Sequence, residues 1–174
     1  RLRAGAQHVH LHVTPSTSNK GGRYDQALLK EYQGNRVDKP KPRYLGIMRE
    51  WLAKRYPGTL HQFCEADDGM SSAQYAALER GEGHLSIIAS KDKDLRMVPG
   101  LQLDWDTGVI AGTELDEDGN YDPFGYVELV ERTGSGGVVT KQLKGFGQKF
   151  FWAQMLIGDT ADNISGLPQI VGNV

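Results

Sequence analysis

The alternation of apolar and polar residues predicts several short β-strands. Histidine and apolar residues alternate over "HVHLHVT" (8–14), and the run "LSIIAS" (85–90) is apolar enough for a buried strand. A short apolar run begins at "TLHQF" (59–63), and "LQLDWDTGVI" (101–110) has the pattern of a further strand or hairpin. The three histidines of the first strand share one face. We interpret them as a half-exposed strand face, because no partner with metal-ligand spacing accompanies them.

Apolar residues at helical spacing predict helices between these strands. The segments concerned are 23–36, 43–56, 70–81 and 145–159. In the second of them we expect the aromatic side chains to lie in the core. Strands that alternate with helices indicate an α/β fold with a mostly parallel sheet flanked by helices. In such sheets ligands bind at the carboxyl ends of the strands.

Acidic residues follow the apolar elements in three clusters. They are Glu65, Asp67 and Asp68, then Asp92 and Asp94, then Asp159 and Asp162. The spacing sends the side chains of each cluster in one direction, on an extended segment for i, i+2 and on one helical turn for i, i+3. Oxygen ligands select Mg²⁺ or Mn²⁺, and two such ions can support phosphodiester hydrolysis. An Asp at a helix start is also a common N-cap, so a structural role for "SKDKDL" (90–95) stays open.

The formal charge of the chain is unevenly distributed. Residues 1–56 carry 12 Lys and Arg against 4 Asp and Glu, whereas residues 57–132 carry 5 against 16. A basic arm beside an acidic centre suits a protein that attracts a polyanion and holds cations, although two solvated faces would give the same counts. With one Cys, no long apolar run and no charged-then-apolar leader, we expect no disulfide framework, no membrane partner and a cytoplasmic setting.

The segment "ISGLPQIVG" (164–172) combines glycine, proline and apolar residues. Such a loop exposes consecutive backbone N–H groups and can hold a nucleic-acid phosphate independently of base sequence. An ordinary turn between two helices is the alternative. The chain contains no GxxxxGK[ST] loop, which disfavours an unrelated phosphohydrolase of small metabolites.

Four motifs in order resemble the 5′-nuclease family. They are "EYQGNR" (31–36), "CEADDG" (64–69), "SKDKDL" (90–95) and "GDTADNISGLP" (158–168). The family includes flap endonucleases, the 5′-to-3′ exonuclease domain of bacterial DNA polymerase I and bacteriophage 5′-exonucleases, and the phage branch is the most similar. The resemblance implies a PIN-like fold, two divalent ions, a helical arch, and a helix-hairpin-helix that grips duplex DNA and binds K⁺.

The resemblance also implies domain limits and residue roles. Residues 1–157 would form the catalytic domain and 158–174 the start of the helix-hairpin-helix, and we expect a fragment that lacks both ends of the family's fold. Glu65 and Asp67 would bind the first metal, with Asp68 beside them. The second group would be Asp92, Asp94, Asp159 and Asp162. Arg23 and Arg36 would meet the scissile phosphate, and Gly166, Ile170 and Gly172 would form the hairpin.

The implied activity is that of a metal-dependent 5′-to-3′ exonuclease or flap endonuclease. Its substrate would be duplex DNA with a 5′ end or flap, with RNA–DNA hybrid as a further possibility, and it would act as a monomer in a bacterial or phage-infected cell. Gln33 stands where the family has Lys, and the Asp of the family's first strand has no counterpart. These departures keep open an alternative function, a non-catalytic DNA-binding fragment or degenerate nuclease-like module.

Overall fold

The computed structural model describes residues 4–27, 31–34, 40–115, 117–118, 120–134, 136–159 and 163–167. Within these ranges the chain is a mixed α/β protein with four helices and several small sheets. The helices are α1 (Arg23–Gln26), α2 (Leu45–Arg55), α3 (Ala66–Glu79) and α4 (Gly147–Ile157). None of the described helices is long and apolar enough to cross a membrane.

The described strands have two or three residues each, except two consecutive strands, which have eight. The chain order is β1 (Leu11–Val13), β2 (Gly58–Leu60), β3 (Ile87–Ala89), β4 (Leu101–Leu103), β5 (Ile110–Gly112), β6 (Tyr126–Thr133), β7 (Val139–Phe146), β8 (Gly158–Asp159) and β9 (Ile164–Ser165). β1, β3 and β4 lie in segments whose pattern predicts them, β2 begins one residue before the apolar run at 59–63, and β5 overlaps the predicted segment 101–110 only at Ile110. The helix predicted over 23–36 is present only as α1, one turn long, among the residues described.

Contacts divide the chain into two compact units. Unit 1 consists mainly of Ala6–Met70 and Gln154–Val174, and unit 2 mainly of Ser71–Ala153. The resemblance implies different limits, 1–157 and 158–174, which come from the family's motifs and not from contacts. Those limits stay a prediction.

Unit 1 is built on a parallel pair of strands. β1 and β2 run parallel, with Leu11 opposite Gly58 and Val13 opposite Leu60, and the connection between them contains α1 and α2. Such a connection is the expected way to join parallel strands. The other pair in this unit, β8 and β9, is antiparallel and only two residues long.

The expectation that the aromatic residues of α2 lie in the core is wrong. Trp51 is half exposed, and the neighbouring Ile47 and Met48 are also exposed. None of the residues of α2 is buried. The helix contacts β1 and β2, and strands of three residues offer too little surface to cover an 11-residue helix.

Unit 2 holds an apolar core. β3 and β4 are parallel and β5 adds antiparallel to β4, while β6 and β7 form a separate hairpin with eight residues in each strand. The described strands of both units thus form two parallel and three antiparallel pairs in four sheets, rather than one mostly parallel sheet. The buried apolar side chains of unit 2 are Ala77, Ile88, Leu95, Val98, Leu103, Tyr121 and Phe150.

Candidate active site

The predicted acids of "CEADDG" lie where α3 begins, so Asp67 and Asp68 are in the first helical turn and not on an extended segment before a helix at 70–81. The carboxylate of Asp68 accepts a hydrogen bond from the backbone N–H of Glu65 at 2.9 Å, which is half of a capping box. The Thr14 hydroxyl accepts from the Ala66 N–H at 2.7 Å, so a residue that follows β1 caps a second free amide. Acidic side chains in the first turn also suit the positive end of the helix dipole. Capping therefore fixes the position of these carboxylates.

Two of these carboxylates converge on one guanidinium group. Arg23 donates from Nη1 to Glu65 Oε2 and from Nη2 to Asp68 Oδ1, the latter at 2.7 Å. Burial by itself would lower the pKa of Arg23, but the negative charges of Asp68 and Glu65 outweigh it and raise that pKa. Arg23 is on α1, so this ion-pair cluster joins α1 to the start of α3.

Further polar groups surround Glu65. Tyr32, which is buried, donates its hydroxyl to Glu65 Oε2 at 3.0 Å. The Lys20 ammonium lies 3.5 Å from Glu65 Oε1 and donates to Gln33 Oε1 at 2.9 Å. Gln33 in turn donates to the Tyr32 hydroxyl at 3.2 Å. The side chain of Glu65 is only 13% exposed, so this network compensates the cost of burying its charge.

Contacts between two histidines and Cys64 hold the segment that precedes Glu65. His12 Nδ1 lies 2.9 Å from His61 Nε2, and the other ring nitrogen of His61 lies 3.3 Å from Cys64 Sγ. Burial, together with the neighbouring histidines, lowers the pKa of His12 to about 4, so the ring is neutral at pH 7. Burial and the charge of Asp68 raise the pKa of Cys64, which disfavours a nucleophilic thiolate. These contacts hold the loop in place.

The second acidic cluster lies in unit 2, three residues beyond the end of β3. Asp92 Oδ1 accepts the Asp94 N–H at 3.0 Å, and the Asp92 N–H donates to Ser90 Oγ at 3.1 Å. Asp94 begins the 3-10 turn Asp94–Met97, and the Lys93 ammonium lies 3.7 Å from its carboxylate. The N-cap of this turn is Lys93, and no side chain caps it, so Asp92 forms a local side-chain-to-backbone turn instead of the N-cap that the sequence left open. A role as a metal ligand stays a prediction.

Asp159 is extended rather than helical. It lies in β8 opposite Ile164 of β9, so the expected helical turn from Asp159 to Asp162 does not begin as predicted. Gly158, at φ 76°, ends α4 in the left-handed conformation that favours glycine. This turn in the chain directs Asp159 into the β8–β9 pair.

The described start of the predicted hairpin is attached to the rest of unit 1. The Leu167 N–H donates to the carbonyl of Leu156 at 2.9 Å, and a Cβ at Gly166 would overlap the backbone of Ile157. Asn163 donates to the carbonyl of Glu31 at 3.1 Å, directly before Tyr32. Four predicted site residues lie outside the described residues: Arg36, Asp162, Ile170 and Gly172.

The donor set at the start of α3 fits a hard cation in part. Glu65 and Asp68 provide carboxylate oxygens, and the Arg23 guanidinium already occupies the point on which both converge. Among the described residues, however, no group of three or more His, Cys, Asp or Glu side chains is arranged to hold a metal ion. The two carboxylates thus contact the positively charged Arg23 guanidinium. Asp67 lies next to them in the first turn of α3.

Sequence reasoning missed several members of this site. Tyr32 was inside a quoted motif, but its hydroxyl contact with Glu65 depends on a separation of 33 residues. Lys20 precedes two glycines in "NKGGR", and only this glycine-rich turn beside Arg23 could have marked it. His61 pairs with His12 across the β1–β2 pair, a contact that the alternation within one strand does not reveal.

A comparison of the chain with protein families, with curated proteins and with solved structures found no match. The resemblance to 5′-nucleases therefore rests on the four motifs and their order.

Proposed function

We propose that this protein is a divalent-metal-dependent nuclease that hydrolyses DNA phosphodiesters at a 5′ end or flap. The observation that carries the proposal is the convergence of Glu65 and Asp68 on Arg23. It brings the acids of "CEADDG" together with Arg23, the residue that the resemblance assigns to the scissile phosphate. Oxygen ligands for a cation next to a group that recognises phosphate are what this reaction requires.

The carboxylates have the role of ligands in this proposal. Glu65 and Asp68, with Asp67 beside them, would hold Mg²⁺ or Mn²⁺, and Asp159 and Asp162 are proposed as further ligands. When bound, such ions lower the pKa of a water molecule and stabilise charge at the phosphate. The ligand roles of Asp92 and Asp94, and K⁺ at the hairpin, are part of the same proposal.

Arg23 has the role of a phosphate-binding residue. Its planar guanidinium can form two parallel hydrogen bonds to a phosphate as it does to the two carboxylates. The basic first third of the chain, with 12 basic against 4 acidic residues in 1–56, would attract the DNA to this side chain. Arg36 and the glycine-rich loop at 164–172 would contribute further contacts with phosphates of the DNA backbone.

A second candidate function is DNA binding without catalysis. Among the described residues only two carboxylates converge on one cation, and they are held by Arg23, Lys20 and Tyr32. A site that retains basic groups while lacking a complete ligand set would still bind DNA. This arrangement supports DNA binding without catalysis as an alternative. The experiment must therefore measure DNA binding and DNA cleavage separately.

The test uses the full chain and a duplex with a labelled 5′ flap. We expect cleavage in Mg²⁺ or Mn²⁺, none in EDTA, and a loss of at least about 100-fold in rate for Asp68→Asn, as is common when a group essential to metal-dependent chemistry is removed. Glu82→Gln is the matched control, because Glu82 is an exposed carboxylate of unit 2 paired with Arg80. Flap binding without cleavage in either metal would support the second candidate, and neither binding nor cleavage would refute both.

A further inference from the structure

Lys20 has an unusual backbone conformation for a residue with a long side chain. Its φ is 52°, and Gly21 and Gly22 follow at 71° and 70°, so three successive residues adopt left-handed geometry. A residue with a Cβ pays about 1 kcal/mol or more for this conformation, whereas glycine does not. The turn would therefore form more easily with a third glycine in this position.

Side-chain hydrogen bonds hold the turn in place. Asn19 Oδ1 accepts from the Gly21 N–H at 3.1 Å, and Ser18 Oγ accepts from the Lys20 N–H at 3.2 Å. The turn leads directly into α1, so Lys20 lies three residues before Arg23. This turn therefore brings a second basic side chain to the carboxylate of Glu65, whose other oxygen accepts from Arg23. Strained residues of this kind are often found at functional sites.

The ammonium of Lys20 lies at the rim of the carboxylate cluster. It is 2.9 Å from Gln33 Oε1 and 3.5 Å from Glu65 Oε1, and it also stands 5.5 Å from the centre of the Tyr24 ring. The side chain is 23% exposed, compared with 13% for Glu65. An ammonium has three donors, so it can keep the contact with Gln33 and bind an oxygen that arrives from solvent.

The charges of the site require such a group. A carboxylate repels a phosphate about 4 Å away, and this repulsion is stronger in a partly buried site than in bulk water. Both terminal nitrogens of Arg23 are engaged with Glu65 and Asp68, which reduces what Arg23 can offer to a phosphate. A second cation at the rim offsets the repulsion.

We propose that Lys20 is a substrate-contacting residue whose Nζ binds a non-bridging oxygen of the phosphodiester that enters the site. The inference rests on the proposed nuclease function for the identity of the substrate. Gln33 positions the ammonium through the 2.9 Å hydrogen bond, and the left-handed turn directs the side chain toward Glu65. The other explanation is that Lys20 only neutralises Glu65.

The test combines two variants of Lys20 with two DNA substrates. Lys20→Asn removes the ammonium and retains a residue that tolerates left-handed geometry, so relief of the backbone strain offsets the loss of the ion pair with Glu65 and the unfolding temperature should stay close to that of the wild type. Lys20→Arg retains the charge. The substrates are a 5′-flap duplex with its normal phosphate and the same duplex with one neutral methylphosphonate at the scissile position. Dissociation constants are measured by fluorescence anisotropy in EDTA, and cleavage is measured in Mg²⁺.

We expect the methylphosphonate to weaken binding to the wild-type protein about tenfold and to Lys20→Asn less than threefold, because that variant has already lost the contact. Lys20→Arg should restore most of the tenfold sensitivity. Equal sensitivity in wild type and Lys20→Asn would overturn the proposal, as would unchanged cleavage by Lys20→Asn. If the wild-type protein does not cleave at all, the proposed function fails, and the binding measurements still decide whether Lys20 contacts the phosphate.

Discussion

Arg23→Ala should change the affinity of the proposed site for a divalent cation and its affinity for DNA in opposite directions. In the structure its guanidinium lies between the carboxylates of Glu65 and Asp68, where a divalent cation would bind. Removal of this positive charge should make cation binding stronger. The same change should make DNA binding weaker, because it removes a donor to the phosphate.

The expected change in Mn²⁺ affinity follows from the distance between the Arg23 guanidinium and the Asp68 carboxylate. With the guanidinium nitrogen 2.7 Å from Asp68 Oδ1, an ion bound to that carboxylate would lie roughly 4 Å from the positive charge. In a solvent-accessible site, repulsion between a divalent and a monovalent cation at that distance is about 2 kcal/mol, and salt reduces it further. We therefore expect Mn²⁺ to bind Arg23→Ala about five- to tenfold more tightly. Since the pair is partly exposed, we expect a loss of only about 1 to 2 kcal/mol in unfolding free energy.

Calorimetric titration of the full chain with Mn²⁺, and anisotropy with flap DNA in EDTA, measure the two affinities. Arg23→Lys is the first control, because it keeps the charge and should leave the affinity for Mn²⁺ within about twofold of the wild type. Arg80→Ala is the second, since Arg80 pairs with exposed Glu82 in unit 2. Weaker binding of Mn²⁺ to Arg23→Ala would refute the reasoning and would mean that Arg23 orients the carboxylates instead of competing for them.

Three further predictions concern the surroundings of the site. The Cβ of Gly69→Ala would overlap the rings of His61 and His12, so we expect a loss of about 2 to 3 kcal/mol in urea unfolding, whereas Gly46→Ala, on an open face of α2, should gain about 0.5 kcal/mol. An unchanged stability of Gly69→Ala would show that both rings can move aside. Because burial and the neighbouring histidines lower the pKa of His12 from 6.5 to about 4, the unfolded chain binds its proton first, and stability should fall by about 1 kcal/mol between pH 6.5 and 4 after allowance for solvent screening. His12→Asn should flatten this pH dependence, and a curve of wild-type slope would contradict the assignment. Asp92→Ala should cost about 0.5 to 1 kcal/mol through loss of the hydrogen bond from the Asp94 N–H, while Asp92→Asn retains the acceptor oxygen, so a weaker affinity for Mn²⁺ in Asp92→Asn at wild-type stability would be the sign of a ligand role.

The order of strands and helices could be predicted because it depends on local patterns. The period of apolar residues anticipated β1, β3, α3 and α4. The pattern could not say how much surface each element buries. For α2 it gave a helix with an apolar side, but its neighbours β1 and β2 are too short to cover that side, and Trp51 stays exposed.

By itself, the sequence determined which chemistry is available and where along the chain it occurs: carboxylates after apolar elements, and basic residues in the first third. The tertiary structure decided which of these groups meet. The acids and Arg23 were predicted for one site, but only folding across more than 30 residues places Arg23 between Glu65 and Asp68 and brings Lys20 and Tyr32 to Glu65. Spacing fixes neighbours within one strand or helix, whereas contacts between distant segments depend on the path of the chain and on which buried charges must be paired.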